Sequence, residues 1–173
     1  LRELITKSQE MYPKIWPGIK WSERKMQWTA PSGAKLWLSY LDKDQDVTRY
    51  QGLAFSWIGF DELTQWGTPF AWNYMRSRLR TADPELPLSM RATTNPGGRG
   101  HGWVKKMFID PAPAGKSFIA TEIETGEQLK YPAGHAKAGK PLFKRRFIPA
   151  RLKDNPYLAQ QGDYEAMLLS LPE

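Results

Sequence analysis

Apolar runs that end in turn residues alternate along this 173-residue chain with stretches of helical spacing, which predicts an α/β fold with parallel strands and antiparallel hairpin decorations. Three observations carry that expectation. Leu53–Phe60 is a continuous apolar run that stops at Asp61-Glu62, the pattern of a buried parallel strand. Thr68-Pro69 opens a helix, with a capping hydroxyl followed by proline at the first helical position. Leu88–Thr93 is a second short strand, halted by Asn95-Pro96-Gly97-Gly98.

The remaining elements follow in order. Leu1, Leu4, Ile5 and Ser8 lie at helical spacing, predicting a helix to Met11 that stops before Pro13. It starts mid-pattern without a cap or an initiator Met, so the chain is expected to be cut from something longer. Lys25–Thr29 and Lys35–Tyr40 flank Ala30-Pro31-Ser32-Gly33 and read as a hairpin. The helix opened at Thr68 is expected to reach about Arg80, and a short one covers Trp103–Phe108. Phe118–Ile123 and Gln128–Tyr131 read as a second hairpin around Thr125-Gly126, and Lys144–Leu152 as a basic and apolar strand. Asn155-Pro156 opens a last helical region, interrupted at Gly162, restarted at Asp163 and ended at Leu171-Pro172. No internal repeat or low-complexity tract is visible.

Composition narrows the class. With 40% hydrophobic residues, the chain can bury a core as one domain and is not a disordered polyelectrolyte. A net charge of +7 is compatible with a polyanionic partner such as DNA, and equally with a soluble protein that is merely basic. There is no cysteine, which excludes disulfides and thiolate metal sites. His101 and His135 are too isolated to make a metal site. Without a membrane-length apolar run or a signal peptide, the expectation is a soluble intracellular domain.

The chemistry concentrates at two strand ends. A strand that delivers consecutive carboxylates to the crevice of an α/β fold suits phosphoryl transfer. One carboxylate supports Mg²⁺ through its water shell, the role given to Asp61; a neighbour orients and deprotonates the attacking water, the role given to Glu62. Two solvated acids after a strand would have the same sequence. If the second strand lies beside the first, Thr94 or Asn95 can meet the attacking water or the γ-phosphate and report nucleotide state. Taken alone, Asn-Pro-Gly-Gly is ordinary turn chemistry.

Order and spacing change that balance. The series Arg49-Tyr50-Gln51-Gly52, Ile58-Gly59-Phe60-Asp61-Glu62-Leu63-Thr64-Gln65, Ser77-Arg78-Leu79-Arg80, Thr93-Thr94-Asn95-Pro96-Gly97-Gly98, His101-Gly102-Trp103-Val104-Lys105 and Phe147-Ile148-Pro149-Ala150, leading to Asp154-Asn155-Pro156, resembles the large subunit of tailed-phage terminases over nearly the whole chain. The resemblance implies an incomplete P-loop NTPase, Rossmann-like, with a mainly parallel sheet and flanking helices. Residues 1–173 would be a single partial ATPase domain of a motor that drives double-stranded DNA into a capsid. It implies ATP and Mg²⁺ as cofactors of the intact protein, Asp61 and Glu62 as the Walker B pair, and Thr93, Thr94 and Asn95 as the coupling motif beside the nucleotide. It implies as partners a small terminase subunit, a portal protein and further large subunits in a ring, in a bacterial host's cytoplasm and away from any membrane. An arginine acting in trans is expected too, with Arg49, Arg78 and Arg80 as candidates and Arg76 a competitor; for most of these helix arginines a solvated face explains the charge.

One part of the pattern is missing. No Gly-x-x-x-x-Gly-Lys-Ser/Thr precedes Asp61. Ala114-Gly115-Lys116-Ser117 has the right ending, but Asp110 holds the first glycine position and Pro111 and Pro113 remove amides. Gly134-His135-Ala136-Lys137-Ala138-Gly139-Lys140 is followed by Pro141 in place of the hydroxyl. Both are rejected, and the chain is expected to start between Walker A and Walker B and to end where the family passes to its linker and nuclease. No turnover and no nuclease activity are expected of the chain alone. Arg99 and Lys144-Arg145-Arg146 are DNA-contact candidates, with solvated loop or edge charge as the plainer explanation. The competing functions are a non-catalytic basic DNA-binding module and a degenerate prophage remnant.

Overall fold

The computed structural model describes residues 1–159, 166, 167 and 170. Helix α1 (Arg2–Ile15) runs past its expected stop and carries Pro13 inside it. Proline removes one amide and crowds the preceding turn; packing against the neighbouring sheet compensates. The Tyr12 ring lies against Trp16 and Trp28, and the Trp28 indole N–H donates to the Ser8 hydroxyl at 3.0 Å. Of the apolar spacing that suggested this helix, Leu1 and Leu4 are exposed, while Ser8 is buried.

Strands β1 (Lys20–Ser22), β2 (Gln27–Thr29) and β3 (Lys35–Trp37) form an antiparallel meander. The β2–β3 hairpin turns at Ala30–Gly33, where the Ala30 amide donates to the Ala34 carbonyl at 2.9 Å. The first strand was not foreseen. A 3-10 helix, Asp44–Tyr50, then leads to β4 (Trp57–Phe60), α2 (Phe70–Arg76) and β5 (Ser89–Ala92). β4 and β5 pair in parallel, with Trp57 opposite Ser89 and Phe60 opposite Ala92.

The run over residues 53–60 does not make one strand, because it has two partners. The Phe55 amide donates to Arg78 O at 3.0 Å and its carbonyl accepts from the Arg80 amide at 3.1 Å. Residues 78–80 are therefore extended along Phe55, and α2 ends at Arg76 rather than near Arg80. Nor is β4 covered on both faces: Ile58 is buried, whereas Trp57 is 49% exposed. Among the described residues the sheets contain three, two and two strands, and parallel pairing is confined to β4–β5 and the Phe55–Leu79 bridge.

Helix α3 (His101–Val104) continues into a π-helical turn, Lys105–Ile109. Beyond it, β6 (Ser117–Ile119) pairs antiparallel with β7 (Lys144–Arg146). The hairpin expected around Thr125-Gly126 is present but short: Thr121 bridges Gln128, the Glu122 amide donates to Glu127 O at 2.9 Å and the Leu129 amide to Ala120 O at 2.7 Å, while β6 itself pairs with β7. β7 ends at Arg146, short of Leu152; a 3-10 turn (Leu152–Asp154) and α4 (Pro156–Ala159) follow. Gly162, Asp163 and Leu171-Pro172 lie outside the described residues. Among the described residues, no helix is long and apolar enough to cross a membrane.

Two buried clusters meet across α2. Trp72 joins Leu63, Trp103, Val104 and Met107, while Ala71 and Met75 join Val47 and Ile58. The spacing of Ala71, Trp72 and Met75 puts them on one broad stripe of the helix. Phe60, Trp66 and Met90 pack against both clusters, so the tip of the parallel pair is held by core on two sides. Leu63, 2% exposed, follows directly on Asp61-Glu62 and anchors their turn. Leu63→Ala should cost about 2–5 kcal/mol in urea unfolding, against less than about 0.5 kcal/mol for the exposed Leu4→Ala.

Candidate functional site

The parallel register sets the site. Beyond the last paired residues, Phe60 and Ala92, the two chains continue as Asp61-Glu62 and Thr93-Thr94-Asn95. The Thr93 amide donates to the Phe60 carbonyl at 3.0 Å, and the Leu63 amide donates to the Thr93 carbonyl at 2.9 Å. Between these bonds the Thr93 hydroxyl donates to the Asp61 carboxylate and accepts from the Glu62 amide at 3.3 Å. One hydroxyl thus orients a carboxylate and fixes the backbone of its neighbour.

Glu62 pays for its position in backbone strain. Its φ of 51° and ψ of 56° lie in the left-handed region, which costs a non-glycine residue about 1–2 kcal/mol. The bonds on either side, together with a 3-10 turn (Leu63–Gln65) begun by Gln65 N–H donating to Glu62 O at 3.0 Å, over-determine that conformation. Both acids are exposed.

A second layer of bonds lies behind the first. Thr64 is buried, and its amide donates to the Thr94 hydroxyl at 3.2 Å. The Thr94 hydroxyl donates to the Thr64 hydroxyl at 2.9 Å, which donates in turn to the Asn95 carbonyl at 3.1 Å. The Thr94 hydroxyl is therefore bonded to the buried Thr64 although Thr94 itself is exposed, and the Asn95 side-chain amide makes no hydrogen bond with any described residue. The glycine loop packs on the same turn. The Gly100 amide donates to Thr64 O at 2.7 Å, and a Cβ on Gly100 would fall 2.0 Å from Trp66 O. At Gly98, with φ +78°, a Cβ would meet Thr64 O at 2.8 Å. The Trp103 indole N–H closes this packing with a 2.7 Å bond to Trp66 O, and His101 Nδ1 accepts from the Gly97 amide at 3.0 Å. The positioning role of Thr64 was missed in the sequence; its only signal was a hydroxyl two places after the acid pair.

The arginines lie elsewhere. Arg80 donates to the carbonyls of Gly52 and Leu53 at 3.0 and 3.1 Å, before β4 begins and thus at the end opposite Asp61. Arg78 bonds Ser77 and lies over Tyr74, while Arg49 donates to the Tyr40 carbonyl between the rings of Tyr40 and Tyr50. None is brought to the acid pair within this chain. Arg99 is closer, lining a cleft of about 320 Å³ with Gln65, Trp66 and Gly67 opposite Leu41–Asp44.

Of the basic run, Lys144 and Arg146 are exposed, but Arg145 points inward. It is 8% exposed, donates to Thr121 O at 2.9 Å and lies over the rings of Phe108 and Phe143. Arg76 stacks on Phe143 as well, with its centre 4.3 Å from the ring. Burial first, and then repulsion from Arg76, lowers the Arg145 pKa to about 10, so it remains charged at neutral pH.

The loops that imitate a phosphate cradle have spent their amides inside the chain. Gly115 N–H donates to Phe147 O at 2.8 Å and Lys116 N–H to Pro113 O at 3.1 Å. Gly139 and Lys140 donate to Tyr131 O and Lys137 O, both at 3.0 Å. Among the described residues, no group of three His, Cys, Asp or Glu side chains is placed to hold a metal. Magnesium needs less, since one or two carboxylates commonly hold it with water and phosphate oxygens. Asp61, exposed and oriented by Thr93, supplies such a carboxylate. Comparison with protein-family models, curated proteins and solved structures finds no match to this chain.

Because the left-handed Glu62 is strained, Glu62→Gly should leave folding stability unchanged or raise it by up to about 1 kcal/mol in urea unfolding. Glu62→Val should lower it. A clear loss with glycine would mean that the Glu62 side chain itself holds the turn.

Proposed function

We propose that this chain supplies the hydrolytic half of an ATP site in a DNA-packaging motor of the terminase large-subunit kind. One observation carries the proposal: an Asp-Glu pair at the end of a strand is locked, through one threonine hydroxyl, to the end of the parallel strand beside it. That arrangement fits phosphoryl transfer to water. Asp61 would hold Mg²⁺ through its water shell, and the ion would neutralise charge on the β- and γ-phosphate oxygens. Glu62 would take a proton from water as its oxygen bonds the γ-phosphorus and the bond to the β-bridging oxygen breaks, releasing ADP and phosphate. Thr93 would hold the Asp61 carboxylate oriented for the ion, and the Asn95 amide would be available to the γ-phosphate or the attacking water.

The β- and γ-phosphates would be cradled by a P-loop outside this sequence. The trans arginine would come from a neighbouring subunit, with Arg49, Arg78 and Arg80 as candidates that are each engaged within their own chain here. In the intact protein the partners would be double-stranded DNA, the small subunit, the portal protein and other large subunits of a ring, in the cytoplasm of a bacterial host. The P-loop fold is part of this proposal: a two-stranded parallel pair with α2 between its strands is compatible with a larger sheet.

The chain alone should show no ATP turnover. In a longer protein where it follows a phosphate-binding loop, Glu62→Gln should lower kcat by about 10²–10⁴-fold while leaving nucleotide affinity within a few-fold. Retained turnover would remove Glu62 from the base role. The exposure of Lys144 and Arg146 favours a DNA-contact reading for β7. In a binding measurement against salt, replacing either with alanine should reduce the log–log slope by about 0.9. Arg145→Ala should leave the slope unchanged and lower thermal stability instead.

A further inference from the structure

We propose that Thr64 is the positioning residue through which the acid-pair turn and the Thr94–Gly100 loop move as one body, an inference that rests on the nucleotide-site reading above. Every polar group of Thr64 crosses between these segments. Its amide and hydroxyl meet the Thr94 hydroxyl, its hydroxyl donates to Asn95 O, and its carbonyl accepts from Gly100 N–H. The residue is 5% exposed, so water does not compete easily for these bonds. On one side it follows Leu63, the core anchor of the turn. On the other, Gly98 and Gly100 approach so closely that no side chain fits between loop and turn.

Displacement of Asp61 or Glu62 by an ion, or by loss of a phosphate, would therefore pass through Thr64 to two places. One is Asn95, whose side chain is available to substrate. The other is Gly100, which starts α3, where the Trp103 indole already bonds Trp66 O. The Thr64 hydroxyl is the adjustable link, because it both accepts from Thr94 and donates to Asn95. Valine has nearly the same shape and can do neither; serine can do both.

The test compares the wild-type chain with Thr64→Val and Thr64→Ser by NMR. Loss of the hydroxyl bonds should speed amide exchange by about five- to tenfold at residue 64, whose N–H donates to the Thr94 hydroxyl, and at Gly100, whose N–H donates to the residue-64 carbonyl, with Val47 and Met107 unchanged. Serine should restore wild-type exchange. Unchanged exchange in the valine variant, or serine behaving like valine, would overturn the proposal. A Mg²⁺ titration then separates it from the reading on which it rests. The ion should shift the Asp61, Glu62 and Gly100 signals in the wild type. In Thr64→Val the shifts at Asp61 and Glu62 should persist, while that at Gly100 falls at least about fivefold. An equal Gly100 response in the valine variant overturns the relay. Failure of Mg²⁺ to shift Asp61 and Glu62 in the wild type overturns the metal-site reading instead, and the relay is then decided by the exchange comparison.

Discussion

The parallel pairing of β4 with β5, completed by the Thr93 hydroxyl, is the constraint on which the rest of the site depends. A pair of four-residue strands has little stability of its own. It is held here because Ile58 enters one buried cluster, while Phe60 and Met90 touch both. The pairing also does not stop where the strands do. Backbone bonds from Thr93 to Phe60 and from Leu63 to Thr93 carry it around the corner, forcing Glu62 into the left-handed region. The strained residue is thus a consequence of the register.

Helix α2 converts this local arrangement into a three-dimensional one. Ala71, Trp72 and Met75 bring the two clusters together beneath the acid pair, and the segment after the helix returns to pair with Phe55. Farther away, Arg76, Phe143 and Arg145 attach the β6–β7 pair to α2 by stacking rather than by ion pairing. Burying a guanidinium without a carboxylate is costly. The cost is offset by the aromatic faces and by the Thr121 carbonyl, which together make Arg145 a structural residue.

The acid pair, the Thr-Thr-Asn-Pro turn and the first hairpin were legible in the sequence because each is a local signal: an apolar run with a polar end, or turn residues between two strands. Their being neighbours was legible only through the resemblance and the order of motifs. What stayed hidden depended on distant partners. Phe55 was read into β4, but its backbone pairs with residues beyond α2. The turn at Thr125-Gly126 pairs as its residues suggest, but the pairing of β6 with the distant β7 has no local signal. Arg145 read as surface charge within Lys144-Arg145-Arg146, yet strand alternation turns the middle residue inward. The one sign at Thr64, a hydroxyl after an acidic pair, is too common to point to its bonds, and only the fold supplies Thr94, Asn95 and Gly100 as partners.

Asp61, Glu62 and Thr93 are proposed here as one half of a metal–nucleotide site. Paramagnetic Mn²⁺ substitutes for Mg²⁺ and broadens the NMR signals of nearby nuclei, so it reports where the ion binds without requiring turnover. With ATP present, sub-stoichiometric Mn²⁺ should broaden the amides of Asp61, Glu62 and Thr93 first, and Asp61→Asn should abolish that preference. Broadening centred elsewhere, or unchanged by Asp61→Asn, would mean that the ion is not held by Asp61.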